Sequence, residues 1–345
     1  MSHVNGVPEQ FSGFAAHDEK AGKALDVKPY KYTPQKWHEG LVDIKITHCR
    51  TRGPAPTHYP AICGHEIVGT VVRAGKESGH TTGTRVGVGA QSGSCGSCES
   101  CKEGLETFCQ KGMIGTYQGK WEDGSVAQGG YADYANSRSK SPRSFPRDCG
   151  PDDSGGAGPG KKVAIVGIGG LGHLGVQWAK ALGADVYAIS HSDSKKEDAE
   201  KLGIQKDHFI ITTDKDATIK KWGNTFDLIV CTSNQRELPV DTLFFPLLKA
   251  QGRLTILALP EEKIRLSMDT HWWSRESALA KLDWPPAMIK EMLDVAVKHN
   301  VKAWTSSHPM NEVGQKLKDM DDGKASLGSI SFLSVCGHPA YMNGG

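Results

Sequence analysis

The segment KKVAIVGIGGLGHLGVQWAKALGADVYAIS, residues 161–190, constrains the fold more than any other part of the chain. An apolar run is followed by the pattern G-x-G-x-x-G, formed by Gly167, Ile168, Gly169, Gly170, Leu171 and Gly172. In that order the glycines allow a tight turn, a close approach of pyrophosphate, and packing of a helix against the strand. The N-terminus of that helix attracts phosphate. We predict a dinucleotide-binding turn; the alternative is an ordinary glycine turn in an α/β sheet.

The residues after the second apolar run indicate which dinucleotide binds. Sites that prefer NAD usually carry Asp or Glu about 20 residues past the glycines. Here the strand ends at Ile189, and polar or basic residues follow it: Ser190, His191, Ser192 and Lys195. A lysine attracts a 2′-phosphate that a carboxylate would repel, so we expect NADP(H) over NAD(H), with Thr232 as a further cofactor-binding residue. A plainer interpretation is that these residues only form the capped, solvated start of a helix. The two interpretations are compatible, because the cofactor would lie at that helix start.

Four cysteines in the segment SCGSCESCKEGLETFC are a second strong feature. Cys95, Cys98, Cys101 and Cys109 follow the spacing C-x2-C-x2-C-x7-C. Four thiolates at this spacing match a closed, structural Zn²⁺ site. The alternatives are an iron–sulfur site, which uses similar C-x2-C steps, or disulfides. Zinc is favoured because a nucleotide-binding segment follows, and not a second run of cysteines.

Length and composition limit the remaining choices. A chain of 345 residues usually exceeds one core, so two domains are expected. A net charge of +2 gives no electrostatic reason to bind nucleic acid or an anionic membrane. Neither a run of 18 apolar residues nor a secretory signal is visible. Nine cysteines without a signal favour a reducing compartment, and we expect a cytoplasmic protein.

The order of elements predicts an α/β protein with two differently built parts. Short β-type runs separated by turn signals lie at 41–46, 66–75 and 84–90. A stretch rich in Gly, Pro and Asp at 148–160 marks a boundary. Beyond it, strand-like runs alternate with helical segments, as in a parallel sheet; the runs are 208–213, 226–232 and 252–259. Residues 287–301 read as an amphipathic helix and 329–335 as a late strand.

The chain resembles the zinc-dependent medium-chain alcohol dehydrogenases, of the cinnamyl-alcohol-dehydrogenase-like NADP branch. The matching stretches are GHEIVGTVV (64–72), the four-cysteine loop, QGGYADYA (128–135), residues 156–184 and ISHSDSKKEDA (189–199). The resemblance implies a GroES-like β domain, residues 1–155 and 285–345, and a Rossmann domain with a doubly wound parallel sheet, residues 156–284. It also implies a structural and a catalytic zinc, NADP(H) as cofactor, and a homodimer.

The resemblance assigns a catalytic zinc to a cysteine, the histidine of Gly-His-Glu and a second cysteine, with an adjacent acid. His65 and Glu66 match directly. Cys49 matches a family cysteine that is not the usual ligand, and Cys63 is another candidate for the first cysteine. Cys149 is the candidate for the second, in a shortened segment. Without the flanking match, His65 would be read as a hydrogen-bonded histidine at a strand end.

These sequence features are compatible with three functions. The first is an NADP-dependent zinc alcohol dehydrogenase or aldehyde reductase that acts on a small alcohol or aldehyde. The second is an NADPH-binding relative with the structural zinc but without the catalytic metal, because the usual cysteine-bearing segments are altered. The third is a zinc-binding interaction module or nucleic-acid reader, which the near-neutral charge disfavours. We expect the first, with no nucleic-acid or membrane partner.

Overall fold

A computed structural model describes residues 3–4, 6–50, 58–138, 156–233, 235, 237–257, 276–279, 286–322 and 329–333. Its contacts divide the chain into two compact units. The first comprises Met1–Phe145, Pro285–Ala287 and Thr305–Gly345, and the second Pro146–Trp284 and Met288–Trp304. The boundaries that the sequence predicts, at 155/156 and 284/285, stay a prediction, and the boundary stretch lies mostly outside the described residues.

The first unit opens with ten strands and two short helices. In chain order they are β1 (His3–Val4), β2 (Val7–Pro8), β3 (Phe11–Ala15), α1 (Glu19–Lys23), β4 (Lys28–Tyr32), β5 (Val42–Arg50), β6 (Glu66–Ala74), β7 (Arg85–Val88), β8 (Gln91–Gly93), α2 (Glu99–Lys102), β9 (Ile114–Gly115) and β10 (Tyr134–Ser137). The strands predicted at 41–46, 66–75 and 84–90 are β5, β6 and β7. Along β6, buried Ile67 and Val71 alternate with partly exposed residues, the period expected of a strand with one face in a core.

The second unit alternates strands with helices. They are β11 (Lys162–Val166), α3 (Gly172–Ala181), β12 (Asp185–Ser190), α4 (Lys196–Lys201), β13 (Phe209–Ile211), α5 (Lys215–Trp222), β14 (Phe226–Cys231), α6 (Phe245–Leu247), β15 (Leu248–Ile256), β16 (Glu276–Leu279) and α7 (Pro286–His299). The strands predicted at 208–213, 226–232 and 252–259 are confirmed as β13, β14 and β15, and the helix predicted at 287–301 as α7.

The strands of the second unit form one parallel sheet in the order β13-β12-β11-β14-β15-β16. The first strand in sequence lies near the middle, and successive strands extend outward on both sides. This is the strand order of a Rossmann sheet, whose ligands bind where the order reverses, outside the carboxyl ends of the strands. In this chain that position falls between β11 and β14, directly above the glycine turn.

The chain returns to the first unit through β17 (Thr305–Pro309), α8 (Val313–Asp321) and β18 (Ser329–Leu333). These strands complete a six-stranded sheet in the order β17-β18-β5-β6-β7, with β10 also paired to β5. Strand β18 runs antiparallel to β5, with Phe332 opposite Cys49. The late strand predicted at 329–335 is therefore β18, and it belongs to the first sheet.

Each unit has its own apolar core. In the first unit, side chains of the sheet pack with α8: Ile44, Ile46, Ile62, Ile67, Tyr131, Val313 and Leu317. In the second, the sheet packs against the segment before β15: Ile189, Phe226, Ile229, Leu243, Leu247 and Leu254. Burial of each such side chain contributes about 2 kcal/mol. Within the described ranges, no helix has the length and apolar content needed to cross a bilayer.

Candidate functional site

The four-cysteine loop forms a compact cluster of sulfur atoms. The four Sγ atoms of Cys95, Cys98, Cys101 and Cys109 all lie within 4.8 Å of one another. The Sγ atoms of Cys95 and Cys101 are 3.9 Å apart, and those of Cys98 and Cys109 are 4.0 Å apart. In a tetrahedral Zn–S₄ site, Zn–S bonds of about 2.3 Å give sulfur separations of about 3.8 Å. The described cysteines form no disulfide, so one of the alternatives is not realised there.

Short backbone elements bring these cysteines together. Cys95 follows β8, Cys98 is the N-cap of α2, and Cys109 ends a 3₁₀ turn over Glu106–Phe108. Gly96 and Gly104 adopt φ values of 64° and 79°, which only glycine adopts without strain. The loop contributes few buried apolar side chains, so its order depends on what holds the sulfur atoms.

The thiols differ in their acidity. The backbone N–H and hydroxyl of Ser97, together with the backbone N–H of Cys98, donate to Cys95 Sγ and lower the pKa of Cys95 to about 5. Burial raises the pKa of Cys101 to about 12. One sulfur is therefore a thiolate at neutral pH, whereas the other needs a nearby cation to ionise. Four cysteine sulfurs are soft ligands, and they fit a divalent metal that binds thiolates well, such as zinc.

The residues predicted for the catalytic metal lie in the same unit, around the start of β6. His65 is partly exposed and Glu66, the first residue of β6, is exposed. The His65 ring lies 6.0 Å from that of Tyr117. Cys63 is partly exposed, and Cys149 lies outside the described residues.

Cys49 occupies a different environment from His65. It is fully buried, sits opposite Ile67 in the pairing of β5 with β6, and belongs to the core of the first unit. A Cβ added to Gly64 or to Gly130 would come within 2.6 Å of Cys49 Sγ. The thiol therefore fills space that two glycines leave open in the core.

Among the described residues, only the four-cysteine cluster groups three or more metal-binding side chains closely enough to hold one ion. Cys49, His65 and Glu66 do not form such a set within those ranges. The described donors alone thus do not complete a catalytic zinc site. Since Cys149 is outside the described residues, the predicted catalytic ligands stay a prediction.

The glycine turn of the second unit has the conformation that its sequence predicts. Gly167 has a φ of 85° directly after β11, and Gly172 begins α3. A Cβ on Gly172 would lie 1.8 Å from the carbonyl oxygen of Gly167, whereas one on Gly169 would meet no atom within 4 Å. The Thr232 hydroxyl donates to the carbonyl oxygens of Val166 and Gly167, each at 2.9 Å. The third glycine is needed for packing, and the space beside the second is open.

A cleft of about 870 Å³ lies at the carboxyl ends of the parallel strands, beside this turn. Most of the predicted cofactor residues line it: Gly167, Ile168, Gly169, Ser190, His191, Lys195 and Thr232. Four predicted residues do not line it: Gly170, Leu171, Gly172 and Ser192. Gly172 acts through packing instead, and the Ser192 hydroxyl pairs with that of Ser194 at 2.9 Å. The open space beside Gly169 and the cations at its rim fit a dinucleotide.

Several polar residues that line this cleft were not predicted from the sequence, among them Thr212 and Lys215. Thr212 follows β13, and its backbone N–H donates to the Ser190 carbonyl oxygen at 3.0 Å. Lys215 begins α5, which Asp214 caps by accepting from the Ala217 N–H at 2.9 Å. The available signal was the carboxyl end of a predicted parallel strand, where side chains from neighbouring strands meet.

Comparisons with known proteins agree with this geometry. Residues 40–143 match the model of the alcohol dehydrogenase GroES-like domain, and residues 170–298 that of the zinc-binding dehydrogenase family. The chain is 36% identical to "NADP-dependent alcohol dehydrogenase 6" of Saccharomyces cerevisiae, over 89% of this chain and 91% of that protein. It is 32% identical to a probable cinnamyl alcohol dehydrogenase of Arabidopsis thaliana, over 88% and 89% of the two chains.

Solved structures that superimpose on this chain include alcohol dehydrogenases. A cinnamyl alcohol dehydrogenase from Sorghum bicolor superimposes with a TM-score of 0.78 at 27% identity, covering 94% of this chain and 97% of that one. The enzyme described as CAD from Helicobacter pylori, complexed with NADP(H), gives a TM-score of 0.78 at 25% identity with the same coverage. The chain belongs to the zinc-binding alcohol dehydrogenase family, with a GroES-like domain and a Rossmann domain.

Proposed function

We propose that this chain is an NADP(H)-dependent alcohol dehydrogenase that interconverts primary alcohols and aldehydes by hydride transfer. The observation that carries the proposal is the cleft above the glycine turn, which is lined by Ser190 at the end of β12, by His191 directly after it and by Lys195. The carboxylates of the lining, Glu237 and Asp241, come from the segment before β15 and not from the end of β12. Relatives named as NADP-dependent alcohol dehydrogenases and cinnamyl alcohol dehydrogenases support it. They also favour an active enzyme over a relative that has lost the catalytic metal.

The chain's own residues bind and orient the cofactor. Thr232 holds the carbonyl oxygens at the start of the turn, and the positive end of the α3 dipole lies at the N-terminus of the helix, where it would attract the pyrophosphate. Lys195 supplies positive charge for a 2′-phosphate, and the Ser190 hydroxyl a hydrogen bond. When bound, the nicotinamide exchanges hydride with the substrate carbon. The apolar floor of the cleft, formed by Val166, Ile168 and Ile189, excludes water from one side.

Cofactor preference gives a direct test of this assignment. Lys195→Glu is expected to lower kcat/KM for NADPH by about 10- to 100-fold while changing that for NADH much less, because a hydrogen bond to a charged group is lost and repulsion replaces it. Lys196→Glu is the matched control, since Lys196 is exposed and does not line the cleft. Equal losses with NADPH and NADH, or no loss, would contradict a 2′-phosphate role for Lys195.

The zinc ligands are proposed in two sets. Cys95, Cys98, Cys101 and Cys109 would hold a structural zinc, which ties the loop together. His65, with Glu66 and cysteines among Cys49, Cys63 and Cys149, is proposed for the catalytic metal, which would polarise the substrate oxygen when bound. We also propose a cytoplasmic homodimer, with the domain boundaries near 155/156 and 284/285.

Zinc content per chain separates the active enzyme from the metal-depleted relative. Two zinc ions per chain are expected in the wild type after dialysis against a mild chelator, and one in His65→Ala, which should fold normally but lose turnover. Cys49→Ser, Cys63→Ser and Cys149→Ser then identify the cysteine ligands by the same loss of one ion. A wild type that keeps a single zinc and reduces no aldehyde in a broad panel would favour the alternative.

A further inference from the structure

His173 is an imidazole at the start of α3 that contacts both the glycine turn and a distant segment. It is completely buried. Its Nδ1 lies 3.0 Å from the carbonyl oxygen of Gly169, and its Nε2 lies 2.9 Å from the backbone nitrogen of Trp304. The His173 and Trp304 rings stack, with centroids 5.6 Å apart and planes inclined by 25°.

These two partners determine the state of the ring. A carbonyl oxygen can only accept and a backbone N–H can only donate, so Nδ1 carries the proton and Nε2 accepts. The imidazole is therefore neutral, because a proton on Nε2 would face the Trp304 N–H. A ring with one donor and one acceptor is the side chain that satisfies both partners at once.

The bond to Gly169 affects where the next N–H points. The Gly169 carbonyl also accepts from the backbone N–H of His173 at 3.1 Å, so two donors from one residue fix its direction. Since the peptide is planar and trans, the N–H of Gly170 points opposite to that carbonyl. Gly169 itself lines the cleft proposed for the dinucleotide, so His173 fixes a peptide at the edge of that cleft.

We propose that His173 is a positioning residue for the cofactor pyrophosphate: it fixes the Gly169–Gly170 peptide and ties the glycine turn to the segment 302–304. This rests on the proposed function, since it requires NADP(H) in the cleft. Trp304 is the last residue of the second unit before the chain passes into β17 of the first. The imidazole therefore links the turn to the last residue of the second unit.

Gln177, one helical turn further along α3, provides a matched control. Its Nε2 donates to the Lys302 carbonyl oxygen at 2.9 Å, and its Oε1 accepts from the Lys302 N–H at 3.0 Å. Its remaining bond, from Nε2 to the His173 carbonyl oxygen at 3.2 Å, lies within the helix. Gln177 holds the same segment as His173 but makes no hydrogen bond to the turn.

The experiment compares His173→Leu with Gln177→Leu, using NADPH and 2′-AMP as probes in fluorescence and competition titrations. Because 2′-AMP carries the 2′-phosphate but no pyrophosphate, it reports on the rest of the site. His173→Leu is expected to weaken NADPH binding by about tenfold, the loss of about one hydrogen bond to the turn, and to leave 2′-AMP affinity within about twofold. Gln177→Leu is expected to keep both affinities.

The outcomes separate this inference from the function on which it rests. If wild-type protein binds NADPH and His173→Leu binds it equally well, His173 does not position the pyrophosphate. A parallel loss of NADPH and 2′-AMP, or an equal loss in Gln177→Leu, would assign His173 a general structural role instead. A folded wild type that binds no NADPH would overturn the proposed function itself. Should the leucine variant not fold, His173→Asn tests the same point, since its shorter amide cannot span both partners.

Discussion

Cys98→Ser is expected to remove one zinc ion per chain and to lower the Tm by about 10 °C or more, because binding of a structural zinc contributes directly to folding. The substitution is informative because Cys98 is the N-cap of α2 and makes no side-chain cap hydrogen bond. Serine is a better N-cap than cysteine, so the helix itself loses nothing. The destabilisation can then be assigned to the missing metal ligand.

Elemental analysis and thermal unfolding check this result. Ser100→Ala is the control, because Ser100 lies on the same short helix but does not belong to the sulfur cluster. Its zinc content and Tm should match those of the wild type. If Cys98→Ser kept its full zinc content, with a Tm within about 2 °C of the control, the cluster would not be the structural metal site.

Gly172→Ala is expected to abolish measurable NADPH binding, with an affinity loss of about 100-fold or more and a stability loss of about 3 kcal/mol. The added Cβ would lie 1.8 Å from the Gly167 carbonyl oxygen and 3.0 Å from Thr232 Oγ1. That carbonyl is held by the Thr232 hydroxyl, so the turn cannot move without breaking the bond. NADPH fluorescence and thermal unfolding measure the two effects.

Gly169→Ala separates cofactor contact from folding. The same methyl group at this position meets no atom within 4 Å, so the stability should stay within about 0.5 kcal/mol of the wild type. Because the methyl projects into space that a dinucleotide would occupy, NADPH affinity should still fall, by about tenfold. Normal NADPH binding by Gly172→Ala would show that the turn does not require the third glycine.

The parts of the fold that the sequence predicted are those governed by local rules. Gly167 and Gly172 could be assigned their roles because a turn with φ near 85° and a helix packed onto a strand both exclude a side chain. The four cysteines could be assigned to one cluster because they are close in sequence and the loop has no other means of being ordered. Strand β6 was predicted because residues 66–75 form a short run of β-type residues bounded by turn signals.

The parts that were not predicted depend on residues far apart in sequence. Cys49 stays a predicted ligand, but its complete burial depends on Gly64 and Gly130, which leave the space that its sulfur fills and which no local pattern relates to it. Thr212 and Lys215 reach the cofactor cleft because β13 lies beside β12 in the sheet. His173 meets Trp304 across 131 residues, a contact that no local pattern encodes.

The order in which the sheets are assembled has a consequence for synthesis on the ribosome. Strand β5 pairs with β18, which is made almost 280 residues later, so the first sheet cannot be completed until residues 329–333 have emerged. All six strands of the parallel sheet are made before β17. The second unit can therefore form its core before β17 and β18, which complete the sheet of the first unit, have been synthesised. Nascent chains arrested before residue 329 should therefore protect the parallel sheet from protease and leave β5 open to cleavage.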